Sequence, residues 1–129
     1  MIQVKDITKS FGSKENSFQV LKGISLDIKD NDYIVLLGAS GSGKSTLLNI
    51  ISGLEKADSG SIMYDGTDID KLSETELTKF RKDNVGFIFQ QYYLLPNLDV
   101  EKNVKMGADL AGNKNYCNDK SSWFGREIT

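Results

Sequence analysis

The sequence predicts an α/β fold that begins with an antiparallel β-portion, and three features carry this prediction. Residues 1–11 and 18–28 alternate apolar and polar side chains, a pattern typical of strands with one buried face. Residues 33–37 form a continuous apolar run, as in a strand covered on both faces. A glycine-rich stretch and a helical pattern over residues 44–52 follow that run directly. The central unit is therefore strand, glycine loop, helix.

The elements after this unit follow from turn and capping signals. An Asp-Gly pair at residues 65–66 is a tight-turn signal, so a short strand is predicted over residues 60–63 before it. Residues 73–76 form a capping box, in which a hydroxyl and a carboxylate satisfy the first amides of a helix. This signal predicts a helix over residues 74–82.

The last third of the chain is less regular. Residues 85–89 are predicted to form another apolar strand, and residues 100–110 a helix. Beyond Gly112 the chain is polar and predicts no regular element. The order β, β, β, loop, α, β, α, β, α completes the α/β prediction.

Composition narrows the class of protein before any motif is considered. The 129 residues suffice for one domain or part of one, and the charges are balanced without a basic segment that would bind nucleic acid. The longest apolar run is far shorter than the roughly 20 residues that cross a bilayer. Cys117 has no partner for an internal disulfide and no export signal opens the chain, so a cytoplasmic location is expected. The absence of histidine excludes histidine catalysis and histidine metal sites.

The glycine-rich stretch matches the phosphate-loop pattern G-x-x-x-x-G-K-[ST]. Its residues are Gly38, Ala39, Ser40, Gly41, Ser42, Gly43, Lys44, Ser45 and Thr46. A chance match is expected on the order of once in tens of thousands of positions. The pattern also has the context it requires, because it follows a predicted strand and opens a predicted helix. A Gly/Ser connection that merely turns the chain is therefore disfavoured.

The chemistry of a triphosphate explains these residue types. Glycines let the backbone approach phosphates closely, and successive amide groups then converge on the anionic oxygens. The helix N-terminus adds a partial positive charge of roughly half an elementary charge. Lys44 is expected to reach the β- and γ-phosphates, and Ser45 to offer its hydroxyl to Mg²⁺. The loop therefore predicts a nucleoside triphosphate site with Mg²⁺.

Other positions stay open when only the residues themselves are considered. Phe11 and Val20 suit a nucleotide-base site and equally suit half-buried strand residues. Gln90 could simply be a polar residue that ends a buried strand. The apolar group after it favours core over contact surface; its members are Tyr92, Tyr93, Leu94 and Leu95.

Several blocks, in order, resemble the ATP-binding domain of ABC transporters, most closely the lipoprotein-release and macrolide-export branch. These blocks are residues 9–12 (KSFG), 20–26 (VLKGISL), 38–50 (GASGSGKSTLLNI), 58–62 (DSGSI), 85–90 (VGFIFQ) and 94–96 (LLP). The resemblance covers residues 1–110, the expected domain, and is lost over the tail of residues 111–129. It implies an incomplete P-loop NTPase core with an N-terminal antiparallel β-subdomain.

The resemblance also assigns roles to the open positions. It implies that Phe11 stacks on the adenine of ATP and that Val20 packs beside the base or ribose. Gln90 would coordinate Mg²⁺ and orient the attacking water, which makes Lys44 and Gln90 the catalytic residues. The loop after Gln90 would contact a membrane-spanning subunit. The assembled protein would then be cytoplasmic and peripheral on the inner face of the cell membrane.

The sequence departs from this family in its missing second half. It contains no Leu-Ser-Gly-Gly-Gln signature, no strand ending in Asp-Glu and no switch histidine. We therefore expect this chain to bind ATP or ADP and to hydrolyse little ATP. Our hypothesis for the missing second half is a frameshift, an early stop or a deliberate fragment.

Unpaired strand edges favour a homodimer or larger oligomer, formed by exchange of segments around residues 106–129. A non-hydrolysing nucleotide-binding dimerisation module is the alternative function. A small-molecule kinase is disfavoured, because no arginine lid or acceptor site follows the loop.

Overall fold

A computed structural model describes residues 1–13, 15–88 and 93–110, without the side chains of residues 107–110. The chain divides into two compact units, Met1–Arg81 and Lys82–Thr129. The sheet, the phosphate loop and the helix that follows it all belong to the first unit.

The first unit is built on an antiparallel sheet of four strands. The strands are β1 (Ile2–Phe11), β2 (Phe18–Ile28), β3 (Ser59–Tyr64) and β4 (Thr67–Asp68). Their order across the sheet is β2-β1-β3-β4, and each neighbouring pair is antiparallel. The predicted antiparallel portion at the front of the fold is therefore confirmed.

The hairpin between β3 and β4 turns at the predicted Asp-Gly pair. Asp65 has a φ of 45° and Gly66 a φ of 85°. Positive φ at both central residues matches the twist of the flanking strands, so a two-residue turn suffices.

The helices also lie where the sequence places them. They are α1 (Lys44–Ile51), α2 (Glu74–Asn84) and α3 (Val100–Leu110), with a short 3₁₀ helix at Ile69–Lys71. At the start of α2 the capping box is formed: the Ser73 amide and hydroxyl both donate to Glu76 Oε2, at 2.9 and 2.6 Å. None of the described helices is long and apolar enough to cross a bilayer.

Two predicted strands are not formed. Residues 33–37 have no strand structure, and Tyr33, Val35 and Leu37 are exposed. Residues 85–88 likewise have no strand structure, and Phe89 lies outside the described residues. A strand needs neighbours to bond its amides and carbonyls, and within the described residues neither segment is paired in a sheet.

The core of the first unit is formed by apolar side chains of the sheet, α1 and α2 that pack together. Its buried members are Val4, Ile7, Leu21, Leu47, Ile50, Ile51, Ile62, Ile69 and Leu77. In α1 the buried positions Leu47, Ile50 and Ile51 follow the three- and four-residue spacing of one helical face. Burial of this face fixes α1, and with it the loop at its N-terminus, to the sheet.

Tyr64 ties the C-terminal end of α1 to the sheet. Its hydroxyl donates to the Ile51 carbonyl oxygen at 2.7 Å, and its ring meets Phe80 edge to face at 4.8 Å between centroids. Burial raises the pKa of the Tyr64 phenol above its usual 10.0.

In the second unit, Asn103 of α3 organises the segment before the helix. Its side-chain amide donates to the carbonyl oxygens of Leu98 and Asp99 at 2.9 and 3.0 Å, and its Oδ1 accepts from the Leu95 amide at 2.8 Å. One side chain thereby pairs the Leu95 amide and the Leu98 carbonyl oxygen in the segment before the helix.

Truncation of Ile62 tests the core. Ile62 is fully buried, so Ile62→Ala is expected to lower the free energy of unfolding by about 2–5 kcal/mol through lost burial and a cavity. Urea denaturation measures the change. The control is Val35→Ala, whose side chain is 76% exposed and whose loss should change stability by less than about 0.5 kcal/mol. Equal effects of the two variants would contradict this core.

The Tyr64 phenol predicts a loss of stability at alkaline pH. The pKa of the Tyr64 phenol is higher in the folded state than its unfolded value of 10.0. The contribution of the neutral phenol to the free energy of unfolding is therefore complete below pH 10 and is lost as the pH rises through the folded pKa. Tyr64→Phe should be less stable at pH 7, since the bond to Ile51 is gone, and should lose less stability between pH 9 and 11. Urea midpoints across this range measure both effects; identical pH profiles for the two proteins would contradict the assignment.

Candidate nucleotide site

The N-terminus of α1 is the centre of the candidate site. Gly43 is the N-cap residue of α1, and no side chain caps the helix there. The first turn contains no acidic residue. The amides of the first turn of an α-helix have no partners within the helix, so they remain donors for an external acceptor.

The N-terminus of α2 differs from that of α1 in its capping. Its first turn carries Glu74 and Glu76, and its capping box uses Ser73 and Glu76 to satisfy the terminal amides. Negative side chains thus complete the N-terminus of α2 and are missing from that of α1. The two termini carry similar partial charges, but only α1 leaves that charge to an anion from outside.

Lys44 places its ammonium group inside the loop. Nζ donates to the carbonyl oxygens of Gly38 and Ala39 at 2.9 and 2.7 Å, and to Ser42 Oγ at 3.3 Å. The loop is therefore curled around the ammonium group, with a further turn bond from the Ser42 amide to the Ala39 carbonyl. A positive charge and the uncapped helix terminus meet at one place.

An open pocket of about 290 Å³ lies at this place. Its lining residues are Val20, Ser40, Gly41, Gly43, Lys44, Ser45 and Thr46. The structure thus brings together seven of the predicted site residues. Ser42 belongs to the same loop and bonds to Lys44.

Gly43 and Val20 are packed closely enough to account for the glycine. Gly43 has a φ of 89°, and a Cβ atom there would lie 2.7 Å from Val20 Cγ1 and 2.9 Å from Leu21 Cδ2. Left-handed backbone and close approach both require glycine. Strand β2 therefore supports the loop directly, which gives Val20 a structural role as well as a place in the pocket.

Phe11 lies near the pocket but does not line it. It ends β1 opposite Phe18 of β2, and Val20 follows Phe18 by two residues on that strand. The Phe11 side chain is 45% exposed, so one part of its surface is available for stacking. Lys9 Nζ lies over the Phe11 ring, 5.4 Å from its centroid. Sequence reasoning missed Lys9, although residues two apart on a strand share a face.

The remaining predicted site residue is Gln90. Gln90 and Tyr92 lie outside the described residues, so their predicted roles stay predictions. Tyr93, Leu94 and Leu95 are 69%, 67% and 44% exposed. A contact surface requires such exposure, whereas the residue types in the sequence predicted a core position.

The Mg²⁺ chemistry fits the oxygen donors near the loop. Among the described residues no group of three or more Asp, Glu or Cys side chains is placed to hold a metal ion. Mg²⁺ that binds with a nucleotide takes most ligands from phosphates and water, so it needs only one or two protein oxygens. The Ser45 hydroxyl, in the lining of the pocket, is such a donor.

The fold and the loop are those of part of an ATP-binding cassette, and the chain spans about half the length, or less, of the relatives it matches. The profile of the ABC transporter family matches residues 21–127, and the chain belongs to that family.

Its similarity to individual members is high. It is 49% identical over 111 residues to the lipoprotein-releasing system ATP-binding protein LolD of Leptospira interrogans, covering 86% of this chain and 45% of LolD. It is 46% identical over 112 residues to the macrolide export ATP-binding/permease protein MacB of Shigella flexneri, covering 87% of this chain and 17% of MacB. One chain of the solved dimer of the ATP-binding cassette MJ0796 bound to ADP and Pi superposes with a TM-score of 0.80 at 39% identity, over 86% of this chain and 48% of the MJ0796 chain.

A methyl group at Gly43 tests the geometry of the loop. Gly43→Ala introduces both backbone strain and overlap with Val20, so Mg-ATP affinity should fall at least about 10-fold, as expected for a displaced loop. Titration calorimetry measures it. The matched control is Gly66→Ala, with a similar φ of 85° and no atom within 4 Å of the added Cβ. It should lose stability without losing affinity; undiminished binding by Gly43→Ala would contradict the described loop.

Proposed function

We propose that this chain binds Mg-ATP as the nucleotide-binding part of an ABC transporter of the lipoprotein-release or macrolide-export type. One observation carries the proposal: the Lys44 ammonium group is held inside the phosphate loop, at the uncapped N-terminus of α1. Two findings support the proposal: the chain belongs to the ABC transporter family, and the similar MJ0796 cassette is bound to ADP and Pi.

Binding would exchange contacts inside the loop for contacts with phosphate. The ammonium group of Lys44 now has two carbonyl oxygens and a hydroxyl as acceptors. Phosphate oxygens carry full negative charge, so they are stronger acceptors than the carbonyls they would replace. The amides of the first turn of α1 would add neutral donors, and the helix dipole a fixed partial charge. The β- and γ-phosphates are the groups this arrangement favours.

The other predicted residues complete this proposal. Phe11 would stack on adenine beside Val20, since a flat aromatic face binds a base without hydrogen bonds. Ser45 and Gln90 would hold Mg²⁺, which neutralises charge between the phosphates when bound. Gln90 would also orient the attacking water. In this proposal Lys44 and Gln90 are the catalytic residues: Lys44 contacts the reacting phosphate, and Gln90 contacts Mg²⁺ and the attacking water.

A membrane-spanning subunit is the proposed partner. The exposed apolar side chains of Tyr93, Leu94 and Leu95 follow the position of Gln90 in the chain, so partner contact and nucleotide could be coupled through one segment. The chain would then work at the inner face of the membrane. Because the solved cassettes are dimers, a dimer of nucleotide-binding parts is proposed as well.

Removal of the Lys44 charge tests nucleotide binding. Lys44→Met keeps the apolar stem and removes the ammonium group, so Mg-ATP affinity should fall at least about 10-fold, the usual effect of a lost charged hydrogen bond. Lys22→Met is the control, because Lys22 is exposed on β2 outside the pocket. Fluorescent ATP-analogue binding and thermal melting of all three proteins separate lost binding from lost folding. Absence of Mg-ATP binding by the unmodified chain would refute the proposed function.

A further inference from the structure

A second cluster of charged side chains lies at the end of β1, and the phosphate chemistry does not use it. Lys9 is only 15% exposed, and its ammonium group donates to the Lys56 carbonyl oxygen at 2.7 Å. The same group lies 3.2 Å from Glu55 Oε1 and 3.7 Å from Asp58 Oδ1. An ammonium group with three oxygen partners and little water is held in one position.

Its fourth neighbour is the Phe11 ring, 5.4 Å away from Nζ to centroid. Lys9 and Phe11 are two residues apart on β1 and share one face of the sheet. A cation within about 6 Å of a ring face is attracted by the negative charge density of that face. Lys9 therefore occupies one side of the ring, and any base must stack on the other.

The partners of Lys9 connect it to the phosphate-binding helix. The amides of Leu54 and Glu55 both donate to the Asn49 carbonyl oxygen in α1, at 2.8 and 3.2 Å. The segment that follows is bonded to β1 twice through Asp58. The Asp58 amide donates to the Thr8 carbonyl oxygen at 2.9 Å, and Asp58 Oδ2 accepts from the Ser10 amide at 2.6 Å. Contacts thus run without a break from α1 through Glu55 to Lys9 and Phe11.

We infer that Lys9 is a positioning residue for the nucleotide base: its ammonium group, anchored by Glu55, Lys56 and Asp58, orients the Phe11 ring for adenine. This inference rests on the proposed function, since it assumes that Phe11 stacks on ATP. A ring fixed before the base arrives loses less rotamer entropy on binding than a free one. The positive charge behind the ring also draws electron density away from the stacking face, which suits an electron-rich purine.

The experiment compares a ligand that has a base with one that has none. Mg-ATP and Mg-tripolyphosphate share the triphosphate chain, so their affinity ratio isolates the base contribution. Lys9→Met should lower Mg-ATP affinity about 2- to 5-fold, the range for a cation–π contact at a partly exposed site, and leave tripolyphosphate affinity unchanged. Lys9→Arg keeps a cation that can stack on an aromatic face and should restore the ratio. Lys5→Met, an exposed lysine on the same strand, is the control.

A double-mutant cycle with Phe11→Ala shows whether the two residues act together. Once the ring is absent, Lys9→Met should have no further effect on the ratio. Should Lys9→Met not fold, Glu55→Gln weakens the hold on the ammonium group and should lower the same ratio.

The outcomes distinguish the inference from the proposed function. An unchanged ratio in Lys9→Met, or equal loss for both ligands, overturns the role of Lys9 while ATP binding itself stands. If the unmodified chain binds neither ligand, the proposed function fails and the inference fails with it. A base-specific loss that Lys9→Arg repairs and Phe11→Ala abolishes supports the positioning role.

Discussion

Burial of one face of α1 in the core with the antiparallel sheet is the constraint on which the site depends. Leu47, Ile50 and Ile51 join the sheet residues Val4 and Ile62 in a single core. A helix held by its middle and C-terminal turns presents its N-terminus at a fixed place, without a contact that would use up the terminal amides. The cap that would stabilise α1 locally is absent, and tertiary burial holds the helix instead.

The same strand that buries the core also shapes the loop. On β2, Leu21 is buried in the core, and its neighbour Val20 packs against that core and lines the pocket; both side chains approach Gly43. The register with β1 is irregular at Val20, which has no paired residue on β1, so the regular alternation of side chains is broken and one strand serves the core and the site together. Packing and nucleotide geometry are consequently linked: a change in the position of β2 would move the wall of the pocket.

Short-range signals in the sequence predicted most of this arrangement. The features that these signals missed depend on contacts between residues that are distant in sequence. Glycines, the Asp65-Gly66 turn and the capping box at Ser73 act within a few residues, so pattern alone locates them. Residues 33–37 have an equally strong apolar pattern, yet a strand also needs partners that pattern cannot supply. Lys9 was missed for a similar reason, because its partners Glu55 and Asp58 are distant in sequence and adjacent only in the fold.

The position of Lys9 bears on how a nucleotide site can be assembled from two separate regions. In the proposed function the loop at α1 would bind phosphates by charge and amides, whereas an aromatic platform at the end of β1 would bind the base through its flat face. For both to serve one molecule, their separation must be held to about 0.5 Å, and β1 and α1 do not adjoin in sequence. The bonds from Asn49 through Glu55 to Lys9 supply that fixed distance through polar contacts rather than through the apolar core. Because hydrogen bonds depend on direction more than apolar contacts do, they suit the task of setting a register between two binding regions.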